Sequence, residues 1–283
     1  MRIKIPLHPR AFIDALLTYP RFLGSIKPEL MAAGAGRMEL ALRLSGFGWW
    51  PKRLEVPAAS RILAISPHPD DETIGCGGFL CLHAGRSEIQ IVSVYNGELG
   101  GALEEGPWRN DAAYMKRLAD ARSAELDNVA QAIMATVIMR LNVGECAGSP
   151  GRNEVLALRG VLRNFRPEIV LLPWFLDGHP HHRATNKLFA EAAQGIRTMV
   201  LGYEIWDLLV ANAFLDITDV LNAKVELVRK FPSQLRTVDY VGYVQALARS
   251  RAFHYPVRDR RDGAVEAYLA LPSSDYCDLV RLV

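Results

Sequence analysis

The stretch RILAIS at residues 61–66, PHPDDE at 67–72, TIGCGGFLCLHA at 73–84 and EIQIVSVY at 88–95 decides the fold. A short apolar run, a polar knot rich in proline and acids, a helical stretch and a second apolar run follow one another. That is the order strand, loop, helix, strand. The alternation continues outward. Asn110 to Ala135 reads as a long amphipathic helix, Thr136 to Leu141 as a third strand, Asn153 to Phe165 as a helix and Glu168 to Leu172 as a fourth strand. His182 to Ala193 gives another helix and Met199 to Ile205 another strand. Buried apolar strands separated by helices predict an α/β fold: a Rossmann-like, doubly wound, mostly parallel sheet with helices on both faces. Ligands of such sheets bind beyond the carboxyl ends of the strands. After Asp219 the pattern is helical over Val220 to Phe231 and Tyr240 to Arg249. The last thirty residues, with turn signals at Tyr255-Pro256, Asp262-Gly263 and Leu271-Pro272, read as irregular.

Composition bounds the function classes. The 283 residues are 50% hydrophobic and 23% charged, a globular balance. A net charge of +2 is too small for a general nucleic-acid binder. The charge is uneven, with nine basic residues against four acids up to Ser60. Residues 1–58 are expected to form an N-terminal extension, helical over Glu29 to Leu44, and residues 59–283 the main domain. The extension packs on the core in the preferred reading; its basic, Trp-bearing character makes contact with a membrane surface the second. Four cysteines without a Cys-x-x-Cys pair, and no signal-peptide or spanning run, predict a cytoplasmic protein. A homo-oligomer is compatible with this reading.

Two stretches carry chemistry. His68, Asp70, Asp71 and Glu72 crowd an imidazole and three carboxylates at the exit of a buried strand. Such carboxylates repel unless a cation or a helix N-terminus compensates them. A helix cap alone would explain an isolated Asp-Asp-Glu; the preceding His68 favours a metal, zinc or another first-row divalent ion. Asp177-Gly178-His179-Pro180-His181-His182 follows the fourth strand, on the same predicted edge.

Pro67 to Glu72, with Gly75, Gly77 and Gly78, resembles the first motif of the LmbE-like or PIG-L deacetylases, zinc-dependent enzymes that remove N-acetyl groups from glucosamine-containing substrates. The resemblance implies that His68, Asp71 and His182 bind Zn2+, that Asp70 is the general base, and that His179 acts on the substrate carbonyl as electrophile or acid. Asn96 to Gly100 is similar to the family's Gly-Glu-x-Gly segment and Arg122 to Leu126 to its Arg-x-x-Glu helix. This implies that Glu98 and Arg122 contact the sugar; without it, Arg122 and Glu125 read as a solvated helical pair. Asp216 to Asp219, Lys224 and Ser233-Gln234 also match. The second motif departs from the family's His-Pro-Asp-His, because His181 stands where an Asp is usual. Asp177 can take over that acid's role, or His181 can itself reach the metal. The expected function is hydrolysis of an N-acetyl or related N-acyl group on a small-molecule or glycoconjugate amino sugar. The alternative is a metal- or sugar-binding protein with little turnover.

Overall fold

The computed structural model describes residues 51–55, 59–104, 111–255, 257 and 261–283. The helix expected over Glu29 to Leu44 lies outside them. Every apolar run read as a strand enters one sheet of eight: β1 (Lys52–Arg53), β2 (Arg61–Ser66), β3 (Glu88–Tyr95), β4 (Ala135–Val143), β5 (Ile169–Pro173), β6 (Met199–Tyr203), β7 (Ala213–Asp216) and β8 (Val265–Pro272). Around it lie α1 (Asp71–His83), α2 (Ala112–Ala132), α3 (Arg152–Phe165), α4 (Pro180–Ala192), α5 (Leu221–Val228), α6 (Pro232–Leu235), α7 (Tyr240–His254) and α8 (Ser273–Val280).

The order across the sheet is β1-β7-β8-β6-β5-β2-β3-β4. Among the described residues, only the pairs made by β8, with β6 and β7, are antiparallel. The chain winds outward from β2 through β3 to β4, then returns to β5 on the other side of β2, in register at Ala64 and Leu171. The winding therefore reverses between β2 and β5, where an open sheet leaves a crevice at its carboxyl edge. Ile62 to Ile65 and Val170 to Leu172 are fully buried, as strands covered on both faces must be.

The sheet corrects the reading of the C-terminal residues. Val265–Pro272 is not irregular but an interior strand, and Ser273–Val280 a helix. Glu266 interrupts the apolar run of β8, and its burial explains why it is there. Helix α1 breaks at Cys76 (φ −135°, ψ 23°), so the amides beyond the break lack partners in the preceding turn. Glu266 accepts from Gly78 N (2.7 Å) and Phe79 N (2.8 Å), and its charge is met by Lys224 Nζ at 2.7 Å. A Cβ on Gly75 would lie 2.1 Å from the Tyr203 ring, so α1 approaches β6 as closely as glycine alone permits. These contacts press the start of α1, with its acids, against the crevice.

Candidate metal centre

The loop leaving β2 sharpens at Asp70, whose φ of 149° is a backbone state that L residues rarely adopt. It persists because the turn is tied down. The Asp70 carbonyl accepts from Thr73 N and Ile74 N, both at 2.9 Å. Its carboxylate meets Arg122 Nη2 at 3.1 Å. Arg122, on α2, is 2% exposed, and its guanidinium also donates to the carbonyls of Pro69 (3.2 Å) and Gly97 (3.1 Å). Glu125, one turn on, accepts from Ser233 N (2.9 Å) and Ser233 Oγ (2.6 Å). The two are therefore not a solvated pair. Arg122 aims Asp70, and Glu125 anchors the start of α6.

Asp71 is the meeting point. Its Oδ2 lies 3.0 Å from His68 Nδ1 and 3.2 Å from His182 Nε2. His68, Asp71 and His182 offer ligand atoms that all lie within 4.8 Å of one another, and all three residues are buried. They come from the exits of β2 and β5. His182 is fully buried. Its Nδ1 lies 3.1 Å from Asp177 Oδ1, yet neither ring nitrogen has a well-aligned hydrogen bond among the described residues. A buried imidazole whose Nε2 faces a carboxylate and a second imidazole, with a carboxylate behind its other nitrogen, fits a cation between the three. Two imidazoles and a carboxylate are a zinc-type donor set.

Burial and charge divide the acids into unlike groups. Burial raises the Asp70 carboxyl to about 7, against the pull of Arg122 and with the help of Asp71. Asp71 is held well below the usual range: burial opposes its ionisation, but His182 and His68 outweigh it. His182 rises to about 9 although burial opposes it, because Asp71 and Asp177 face it. Burial and the neighbouring His182 and His68 lower His179 to about 4. His179 caps α4, and its Nδ1 accepts from His181 N at 3.2 Å. The neutral ring therefore carries its proton on Nε2.

The residues read from sequence do not all share one place. Glu98 stands apart from the metal set. It accepts from Asn96 Nδ2 (2.9 Å) and Glu145 N (3.1 Å), and it lines a cavity of about 540 Å³ with Pro69, Tyr95, Asn96, Ser123 and Asn142. Asp177 serves His182 and not the His179 ring; it accepts from the His179 amide at 2.9 Å. His181 stacks on Tyr95 (centroids 4.0 Å apart, planes 19° apart) and brings Nδ1 to 2.9 Å from His68 Nε2. Glu145, not singled out in the sequence, lies 3.3 Å from His68 Nε2. It follows β4 as the motifs follow β2 and β5. The rule that strand exits carry the site, applied to every strand, would have found it.

Residues 63–193 match the model of the family described as PIG-L, GlcNAc-PI de-N-acetylase. That segment is similar to the PIG-L family. It contains both motifs and the crevice between β2 and β5, so the resemblance carried by the motifs is borne out. Outside the PIG-L segment the likeness extends further. The chain is 29% identical over 194 residues to the diacetylchitobiose deacetylase of Thermococcus kodakarensis, covering 62% of this chain and 70% of the relative. Among solved structures, the N,N'-diacetylchitobiose deacetylase of Pyrococcus horikoshii superposes with a TM-score of 0.64 at 23% identity, over 77% of this chain and 86% of that one. The 4-carboxy-2-hydroxymuconate hydratase of Pseudomonas putida KT2440 does so with a TM-score of 0.63 at 22% identity, over 75% of this chain and 96% of that one. These two likenesses establish the fold. They also show that the fold carries more than one chemistry, so function has to be argued from the PIG-L site itself.

Proposed function

We propose that the chain is a metal-dependent amide hydrolase that removes an N-acetyl or related N-acyl group from an amino-sugar conjugate. The convergence of His68, Asp71 and His182 on one point, with Asp70 beside them but turned to Arg122, carries the reading. Both the description of the matching family and the name of the Thermococcus relative support an N-acetylated sugar as substrate.

His68, Asp71 and His182 would hold the ion, Zn2+ by donor type. Such an ion supplies Lewis acidity to water and to the amide oxygen. The protein's own groups do the rest. Asp70 does not belong to the ligand set, and with its carboxyl near 7 it can take a proton from water and return one to the departing amine. Arg122 keeps that carboxylate aimed and touches the reaction only through it. Neutral His179 offers Nε2–H to the oxygen on which negative charge develops, a donor role worth roughly 3 kcal/mol in comparable sites. Asp177 fixes the orientation of His182. Glu98, facing the neighbouring cavity, is the group placed to meet sugar hydroxyls.

Zinc-loaded protein incubated with N,N'-diacetylchitobiose and with other N-acetylglucosamine conjugates should release acetate. Asp70→Asn should lose at least about a hundredfold in kcat, the scale of a general base, while retaining its metal. Equal rates in parent and variant would remove Asp70 from the mechanism. The reading without turnover is favoured by His181 in place of the usual Asp; a large gain of hydrolysis in His181→Asp would mark a weakened enzyme.

A further inference from the structure

His68 turns its two ring nitrogens to different surroundings. Nδ1 faces Asp71 at 3.0 Å, on the side of His182. Nε2 faces away from them, towards His181 Nδ1 at 2.9 Å and Glu145 Oε1 at 3.3 Å. The Glu145 side chain is only 7% exposed and also lies 3.8 Å from His181 Nδ1. His179 closes the group: ligand nitrogens of His68, His179 and His181 all lie within 4.8 Å of one another. A hydrogen-bonded imidazole pair accounts for the contact between His68 and His181. It does not account for a third imidazole closing the same space, beside a buried carboxylate that reaches both rings while also accepting from Leu99 N.

We propose a second divalent-cation position, held by His68 Nε2, His179, His181 and Glu145. His68 is shared as an imidazolate with the position made by His68, Asp71 and His182. Three nitrogen donors and one carboxylate suit a first-row ion such as Zn2+ or Co2+. Binding displaces the ring proton of His68 to solvent, so the incoming charge is met by the imidazolate and the Glu145 carboxylate. His179 must give up either the bond from the His181 amide to Nδ1 or the Nε2–H proposed above as donor to the developing oxyanion, which makes this the weaker of the two positions. An Asp at residue 181 would offer a shorter carboxylate in place of the imidazole, so the departure at His181 is what sets a nitrogen donor at 2.9 Å from His68 Nε2. The inference rests on the proposed metal centre, since His68 is common to both.

The full chain, stripped of metal, is titrated with Zn2+ by calorimetry and with Co2+ by visible absorption, with bound metal counted by elemental analysis. The expected result is two equivalents, one tight and one weaker, with a second set of cobalt bands appearing only after the first equivalent. His181→Asn and Glu145→Gln should each fall to one equivalent with the tight step unchanged. A parent chain that takes one equivalent, or two equivalents in both variants, overturns the second position. Binding of no metal at all overturns the centre proposed above as well. Acetate release is read at one equivalent, because filling the second position takes up His179; one bound equivalent without release would count against the hydrolase reading alone.

Discussion

Asp70 occupies a backbone state that costs of the order of 1–3 kcal/mol, and it does so where the proposed base is needed. A residue held this way must be over-determined by its surroundings, which here are the amides of Thr73 and Ile74 and the Arg122 guanidinium. Asp70→Gly should therefore raise the denaturant midpoint slightly while abolishing acetate release, separating strain from chemistry in a single variant. Asp177 stands one step from the proposed ion. Its carboxylate lies behind His182 Nδ1, and partners of this kind tune affinity by about 10–100-fold. Asp177→Asn should weaken zinc binding by that factor in a competition assay with a chelator, without changing the count of tightly bound ions. His68, Asp71 and His182 became candidates through the resemblance of two motifs to a family's, and the fold brings the three side chains together. The role of Arg122 was legible only as importance. A sequence shows an arginine on a helix but not that it is buried with its guanidinium on Asp70.

At the scale of elements, sequence located α1 but not what shapes it. Its glycines read correctly as places of close approach, but the break at Cys76 is capped by a partner 190 residues away. Glu266 caps the second half of the helix from β8, and Lys224 neutralises it from α5. Both side chains are almost wholly buried, at 3% and 4% exposed. Removal of one member of such a pair leaves a buried charge uncompensated, at a cost of about 3–5 kcal/mol. Glu266→Ala should lower the free energy of unfolding in urea by that amount, whereas exposed Lys116→Ala, which loses the ion pair with Asp120, should change it by less than about 1 kcal/mol. Lys224 was visible in the sequence as one more point of resemblance. Nothing local pointed to its partner, since a lone acid in an apolar run reads as an interruption and not as a cap.

For the whole molecule, the parallel half of the sheet was readable because every strand from β2 to β6 alternates with a helix, and that rhythm fixes both the winding and its reversal. The half containing β7 and β8 lacks the rhythm. Ala213–Asp216 is too short to announce itself, and β8 joins β6 to β7 by antiparallel pairing across more than fifty residues of chain. Those pairings are long-range by construction, so no window of sequence contains them. A chain ending at Asp262 should lose β8 and with it the attachment of β7 to the sheet; the expected outcome is loss of the cooperative thermal transition seen in circular dichroism.

The position of β8 also orders events during synthesis. All the strands that carry His68, Asp71, Glu145 and His182 precede Tyr203 in the chain, so the parallel half has every partner it needs while the remainder is still being made. Strands β1 and β7 do not. Among the described residues they reach the rest of the sheet through β8, translated some fifty codons after β7 and more than two hundred after β1, so a nascent chain would carry a finished crevice edge, with the proposed metal ligands on it, beside an unzipped flank.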